Sequence, residues 1–157
     1  MVSEAKLYMS RAEDEFLLAQ KDIQISTDEN TKKFLGIQKD KTFFHSVISH
    51  AYYSIFYCAK SYLMTRGIIT KAPDEHEKTY NELAKFVKNG MLNYELLKIY
   101  EHEIIKADAL LQIFKLEKGK RGNFIYNIKS ESNLPYAKES IENAKKFISI
   151  IKGLTGF

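Results

Sequence analysis

The stretch that decides the fold is KTFFHSVISHAYYSIFYCAKSYLMTRG, which runs from Lys41 to Gly67. On an α-helix, its apolar and aromatic residues would occupy much of the circumference and not a single stripe. A helix of this kind has to be covered on several sides. The spacing therefore predicts a helix over residues 41–66 that is either central to the fold or part of a dimer interface.

Amphipathic helices are predicted on both sides of this segment, because apolar residues recur there at three- and four-residue spacing. The chain has only two prolines and seven glycines, which favours long helices over the many turns of a β-sandwich. We predict an all-α fold, an up-and-down helical bundle of four to five main helices in a single domain over residues 1–157. The other main helices are predicted over residues 5–23 and 73–87, from 92 through Phe114 until Gly119 interrupts the helix, and over 134–153.

Capping and helix-breaking residues set the predicted boundaries. Pro73 is expected in the first turn of its helix, and Asn133 is expected to cap the last helix, which ends at Gly153. The segment Thr31–Ile37 is predicted to be a connector of weak helical character, because Gly36 interrupts it.

The composition predicts a soluble, cytoplasmic protein. An apolar fraction of 45% is too high for a disordered chain, while charged residues interrupt every run that might span a membrane. The first residues lack the apolar core of a signal peptide. Cys58 is the only cysteine, so an internal disulfide is excluded and a packing role is expected.

No metal or cofactor is expected from the motifs. None of the four histidines follows a glutamate at three-residue spacing, so the Glu-x-x-His pattern of a di-iron bundle is missing. His45 and His50 are five residues apart and diverge on a helix. Gly-rich phosphate loops and nucleophile elbows are also absent from the sequence.

A basic stretch near the C-terminal third is the strongest chemical signal. Between Lys115 and Lys129, five basic residues stand against one acid, with Phe124 and Tyr126 among them. Basic side chains and rings in this pattern suit phosphates and unpaired bases of RNA. The alternative is a solvated, lysine-rich helix end. Arg121 is singled out, because its planar guanidinium offers a fixed fork that lysine lacks.

The run HAYYSIFYCAKSYL, from His50 to Leu63, followed by Arg66-Gly67-Ile68, resembles the signature helix of the HEPN family (higher eukaryotes and prokaryotes nucleotide-binding domain). His76 looks like the histidine that follows that helix in the family. The resemblance covers roughly residues 5–152. It implies a helical bundle that dimerises and holds RNA or nucleotide in a groove at the dimer interface. Family members include metal-independent ribonuclease toxins and partners of a small nucleotidyltransferase.

The resemblance also suggests site residues. Arg121 and Tyr126 match one branch of the family's catalytic motif, although Ile125 replaces its acid and no histidine follows His102. Tyr52, Phe56 and Tyr57 are the aromatic residues expected at a dimer interface. The residues predicted to bind RNA or nucleotide are Lys118, Lys120, Arg121, Asn123, Tyr126, His50 and His76.

Three functions stay open at this point. The first is a dimeric protein that binds RNA or nucleotide in a basic groove, as a component of a toxin–antitoxin or defence system with a possible nucleotidyltransferase partner. The second is a metal-independent ribonuclease, in which a histidine such as His50, His76 or His102 acts with Arg121. The third is a non-catalytic protein-interaction module.

Overall fold

The described part of the chain is built from six α-helices. The structure is a computed structural model and describes residues 2–114, 116, 120 and 133–157. No strand occurs within these residues, and the all-α bundle is confirmed. The helices are α1 (Val2–Thr27), α2 (Glu29–Leu35), α3 (Phe44–Thr65), α4 (Glu75–Lys88), α5 (Tyr94–Leu111) and α6 (Leu134–Thr155).

Helix α3 lies at the centre of the bundle. Helices α1, α4, α5 and α6 all pack against it, and α1 makes the most extensive contact. Most of its side chains are buried, including the rings of Tyr52 and Tyr62 and the thiol of Cys58. Burial raises the pKa of the Cys58 thiol. A helix that is apolar on several faces is thus covered on several faces, and the predicted central position is confirmed.

Small residues and serine hydroxyls hold α1 against α3. Ala5, Ala12 and Ala19 are seven residues apart on α1, which places them on one side of the helix, and all are fully buried. From α3, the Ser54 hydroxyl donates to the Ala12 carbonyl at 2.7 Å. The Ser61 hydroxyl donates to the Ala5 carbonyl, also at 2.7 Å. The two helices therefore approach closely along most of α1.

A buried ion pair within α5 is tied to α6 by side chains of that helix. The Lys106 ammonium lies 2.7 Å from Glu103 Oε1 and 2.9 Å from Glu139 Oε1, and Lys106 and Glu103 are fully buried. The Ser140 hydroxyl accepts from Lys106 at 2.7 Å and donates to Glu103 at 2.8 Å. Asn143 donates to Glu103 at 3.1 Å. Each buried charge therefore has several hydrogen-bond partners, as a charge inside a protein requires.

Helix α5 ends earlier than its apolar pattern predicts. The pattern continues to Phe114, but the helix stops at Leu111. Gln112 adopts a left-handed conformation at φ 52°, which ends the right-handed helix. The Asp108 carboxylate then accepts the Phe114 N–H at 2.6 Å. The prediction that this helix includes Phe114 is therefore wrong.

The predicted boundaries near α2 and α4 also shift. Asp74 has a left-handed backbone at φ 57°, so α4 begins at Glu75 and Pro73 lies outside it. The weak connector is a regular helix of seven residues, α2, and Gly36 closes it in the left-handed conformation. The described residues thus contain one short helix more than the predicted main helices.

Helix α6 is longer than predicted. Gly153 does not end it; the helix continues to Thr155, and Gly156 closes it at φ 75°. Asn133 precedes the helix, but its side chain makes no capping hydrogen bond. The Asn133 amide instead lies 3.3 Å from Nε2 of His45 at the start of α3.

Candidate functional site

An open groove of about 470 Å³ lies between α4 and α5. This volume is within the range of small-molecule sites, roughly 300–1,000 Å³. Two carboxylates and one amine are among its described lining residues, whereas the sequence predicts a strongly basic groove. The lining residues are Glu77, Tyr80, Asn81, Glu101, Ile104, Ile105, Phe114, Leu116 and Lys120.

The polar wall of the groove is held in place by contacts between the two helices. The Tyr80 hydroxyl donates to the Glu101 carboxylate, and the Tyr80 ring meets the buried Tyr100 ring edge-on with centroids 5.7 Å apart. Burial and the neighbouring Glu101 raise the pKa of Tyr80, so its hydroxyl remains a donor at neutral pH. The ring is therefore fixed and partly exposed.

Sequence reasoning missed this groove. Residues 77, 80 and 81 of α4 share a face, as do residues 101, 104 and 105 of α5, because their spacing is three and four. Each pattern is visible along its own helix. Whether the two faces meet depends on how α4 and α5 pack on α3, and residue spacing within one helix does not predict that packing.

His76 lies beside the groove in the first turn of α4. Its ring stacks on Phe56 with centroids 4.1 Å apart, and its Nδ1 lies 2.8 Å from the Tyr52 hydroxyl. The ring of Phe114, which lines the groove, is 6.3 Å from that of His76. The structure therefore places two predicted site residues near Phe114. The His76 ring contacts the Phe114 ring, and Lys120 lines the same groove as Phe114.

The surroundings of His76 favour its neutral form. Burial lowers the pKa of His76 below the ordinary value of 6.5; the Glu75 carboxylate partly opposes this, and the Lys60 ammonium adds to it. Burial also raises the pKa of Tyr52, which keeps that hydroxyl protonated. Among the described residues, only Nδ1 of the two ring nitrogens has a hydrogen-bond partner. A neutral imidazole with a free Nε2 can exchange protons with a ligand.

We expect the His76 imidazole to titrate below pH 6.5 in the folded protein, as NMR of the ring protons would measure. Between that pKa and 6.5 the unfolded chain binds more protons, so the free energy of unfolding should fall as pH drops through this window. In His76→Asn the side chain does not titrate, and urea unfolding on either side of pH 6.5 should show a smaller change. An equal change in both proteins would contradict this assignment.

The three residues predicted at a dimer interface occupy different environments. Tyr52 and Phe56 are 0% and 2% exposed, and their rings pack on neighbours within the same chain. Tyr57 is partly exposed, and the Arg11 guanidinium lies 4.5 Å from the centre of its ring. Of the three, only Tyr57 therefore offers a partner any substantial surface. Homodimerisation stays a prediction.

His50 is not among the residues that line the groove. Its Nδ1 lies 2.5 Å from Glu15 Oε2, and its Nε2 lies 3.8 Å from Asp22 Oδ2, so both ring nitrogens face carboxylates of α1. The Ser46 hydroxyl donates to the same Asp22 oxygen at 2.6 Å. These contacts give His50 a role in joining α1 to α3.

The remaining predicted residues fall outside the described part of the chain. Two described residues flank the segment that contains them. Phe114 packs beside His76, and Asn133 lies beside His45. Lys120, within the stretch, is described and exposed. The predicted residues outside the description are Lys118, Arg121, Asn123 and Tyr126.

Comparison of the chain with protein-family models, with curated proteins and with solved structures gives no match. None of the described helices combines the length and the apolar character needed to cross a membrane. Within residues 2–114, 116, 120 and 133–157, no three His, Cys, Asp or Glu side chains are grouped to hold a metal ion. Function has to be inferred from the groove and its surroundings.

Proposed function

We propose that this protein binds a nucleotide, either free or as an unpaired residue of RNA, in the groove between α4 and α5. The observation that carries the proposal is the combination, in one groove, of apolar walls, the fixed Tyr80 ring and the exposed Lys120 amine. Apolar and aromatic surface suits a base, while an amine suits a phosphate.

The polar lining supports the same ligand. The Asn81 amide can donate to a base edge and accept from it, and the Glu77 and Glu101 carboxylates can accept from exocyclic amino groups. A groove whose described lining holds more carboxylates than amines suits one base with its phosphate better than the densely charged backbone of a duplex.

The resemblance to the HEPN family supports this proposal independently of the groove, because it implies RNA or nucleotide binding by a dimer. We extend the proposal accordingly to a homodimer that belongs to a toxin–antitoxin or defence system and has a small nucleotidyltransferase as partner. Sedimentation of the purified protein at micromolar concentration tests the dimer, and a strictly monomeric protein would remove that extension.

We expect the wild type to bind adenosine or uridine monophosphate, as measured by calorimetric titration at low salt. Tyr80→Leu should weaken binding about tenfold, because loss of one stacking surface has roughly that effect. Lys120→Ala should weaken it by a similar factor of about ten, as expected for one hydrogen bond to a charged group.

Matched substitutions outside the groove separate these effects from general ones. Tyr94→Leu removes an exposed tyrosine from the start of α5, and Lys88→Ala removes an exposed lysine from the end of α4. Both should bind nucleotide like the wild type. The proposal fails if the wild type binds none of the mononucleotides, or if the groove variants behave like these controls.

A second candidate function, RNA cleavage without metal, is favoured by His76. When the ring proton of the neutral imidazole is on Nδ1 and is donated to the Tyr52 oxygen, Nε2 can take the proton of a 2′-hydroxyl as that oxygen attacks the adjacent phosphate. The bond between phosphorus and the 5′-oxygen breaks as a 2′,3′-cyclic phosphate forms, and a water molecule donates a proton to the leaving oxygen. Arg121 is the residue proposed to stabilise the charge on the phosphate.

Incubation of single-stranded RNA with excess EDTA tests this second function. The wild type should cleave the RNA, and His76→Asn and Arg121→Lys should each lower the rate at least about a hundredfold, the lower range of acid–base contributions. Absence of cleavage by the wild type, or equal cleavage by the His76 variant, would reject the ribonuclease while leaving nucleotide binding intact.

A further inference from the structure

A row of aromatic rings runs across the surface from α1 to the start of α4. We call Tyr8, Tyr57, Tyr53 and His76 the aromatic row; all four side chains are partly exposed. Tyr8 stacks on Tyr57 with centroids 6.3 Å apart, and Tyr57 stacks on Tyr53 at 6.2 Å. Tyr53 meets His76 edge-on at 5.7 Å. Through His76 and Phe114, the row reaches the groove between α4 and α5.

A second cavity opens at the other end of the aromatic row. It has a volume of about 330 Å³ and lies between α1 and the segment that follows α3. Tyr8 is part of its wall, so the row joins two cavities that are each large enough for a small ligand. We call it the α1 cavity; its other lining residues are Glu4, Leu7, Arg11, Met64, Ile69 and Lys71.

The cations along this surface are placed mainly at its ends. Arg11 and Lys71 line the α1 cavity, and neither makes an ion pair with another described residue. Lys120 lines the groove at the opposite end. Arg11 also lies over the Tyr57 ring, which leaves an exposed guanidinium on the row itself.

The carboxylates beside the middle of the row already have basic partners. Glu15, near Tyr53 and Tyr57, contacts His50 at 2.5 Å. Glu75, next to His76, accepts from the Lys60 ammonium. Both of these carboxylates, which lie beside the middle of the aromatic row, are therefore paired and do not present an unpaired negative charge to a bound polyanion. Unpartnered acids occur at the cavities, where Glu4 lines one and Glu77 the other.

We infer that the aromatic row binds a single strand of RNA that extends from the groove between α4 and α5 to the α1 cavity. This inference rests on the proposed nucleotide site and specifies its ligand as a short oligonucleotide. Bases stack on the partly exposed rings and on the Arg11 guanidinium, since RNA-binding proteins use aromatic side chains and arginine planes in this way. Phosphates at the two ends meet Lys120, Arg11 and Lys71.

Stacking carries most of the affinity in this arrangement. Three cations give a salt slope of about −2 in a plot of log affinity against log salt, since each neutralised phosphate of a single strand contributes roughly −0.7. A strongly basic groove of the kind that the sequence predicts would give a steeper slope. Salt dependence therefore distinguishes a stacking surface from a purely electrostatic one.

The length of the ligand is the primary test. Affinities of the wild type for adenosine monophosphate, triadenylate and hexaadenylate are measured by calorimetry under one set of conditions. We expect the hexanucleotide to bind at least about tenfold more tightly than the mononucleotide, the effect of roughly one further stacked base. Equal affinities for all three ligands would overturn the inference.

Two substitutions in the row are compared with two matched substitutions elsewhere. Arg11→Lys keeps the charge and removes the stacking plane, while Tyr57→Leu keeps apolar packing and removes the ring. Each should lower the ratio of hexanucleotide to mononucleotide affinity about tenfold. Arg66→Lys alters the same kind of arginine–tyrosine contact on Tyr62, and Tyr94→Leu removes an exposed ring; neither should change the ratio.

The outcomes separate this inference from the proposed function. If mononucleotide binds and depends on Lys120, but the hexanucleotide gains nothing, the aromatic row is rejected and the groove stands. If neither ligand binds, both are rejected. If the hexanucleotide binds more tightly but Arg11→Lys and Tyr57→Leu leave the ratio unchanged, the row is again rejected. Arg11 is exposed, so its variant remains informative even if Tyr57→Leu fails to fold.

Discussion

Replacement of Lys106 by methionine should lower the free energy of unfolding by about 3–5 kcal/mol, the usual cost of breaking a buried ion pair from one side. The methionine keeps most of the side-chain volume, but Glu103 then stays fully buried with no cation beside it. Hydrogen bonds from Ser140 and Asn143 satisfy its oxygens without balancing its charge. Urea unfolding followed by circular dichroism measures the loss.

Two further variants show whether burial is the cause. Lys146→Met breaks the exposed pair between Lys146 and Glu95 and should cost less than about 1 kcal/mol. Adding Glu103→Gln to Lys106→Met removes the unbalanced charge and keeps an amide for Ser140 and Asn143, so much of the loss should be recovered. A Lys106→Met effect no larger than that of Lys146→Met would contradict the role of the buried pair.

Replacement of Ala12 by leucine should destabilise the fold by about 3 kcal/mol, at the upper end of typical overpacking costs. Ala12 is fully buried where α1 meets α3, and its carbonyl accepts the Ser54 hydroxyl. A larger side chain pushes the helices apart, and this leaves Ser54 without its partner. Because α1 makes the most extensive contact with α3, the loss extends along both helices.

Ala84→Leu is the matched control for Ala12→Leu. Ala84 lies on α4 and is only partly buried, so the added atoms can reach solvent. Its effect should stay within about 0.5 kcal/mol of zero, as for most surface substitutions. Similar losses in the two variants would mean that the close approach of α1 and α3 does not limit the size of the side chain at position 12.

The sequence predicts the bundle well, because its signals are local. The apolar surplus of residues 41–66 identifies the central helix, and the three- and four-residue spacing identifies the helices that pack on it. The end of α5 was missed because Gln112 takes a left-handed conformation that sequence rules reserve mainly for glycine. The Asp108 hydrogen bond to Phe114 that accompanies this turn leaves no spacing signal.

The buried charges and the candidate site are less predictable. Glu103 lies on the same face of α5 as Tyr100 and Ala107, and Lys106 is one turn beyond Glu103. A charged residue in an apolar stripe is the signal that could have shown this buried pair. The sequence suggested His76 through its family resemblance. Its contact with Phe114, which lines the groove, depends on the packing of α4 and α5 on α3, and no residue spacing records that packing.

The position of α6 against α3 also bears on synthesis of the protein. On the ribosome, α1 and α3 are complete and can pair while residues 134–155 have not yet been translated. Phe147 and Ile151, both fully buried in the finished bundle, are then missing from the core. The nascent chain consequently exposes an apolar side of its central helix until α6 emerges, and this interval is when it most needs protection from aggregation.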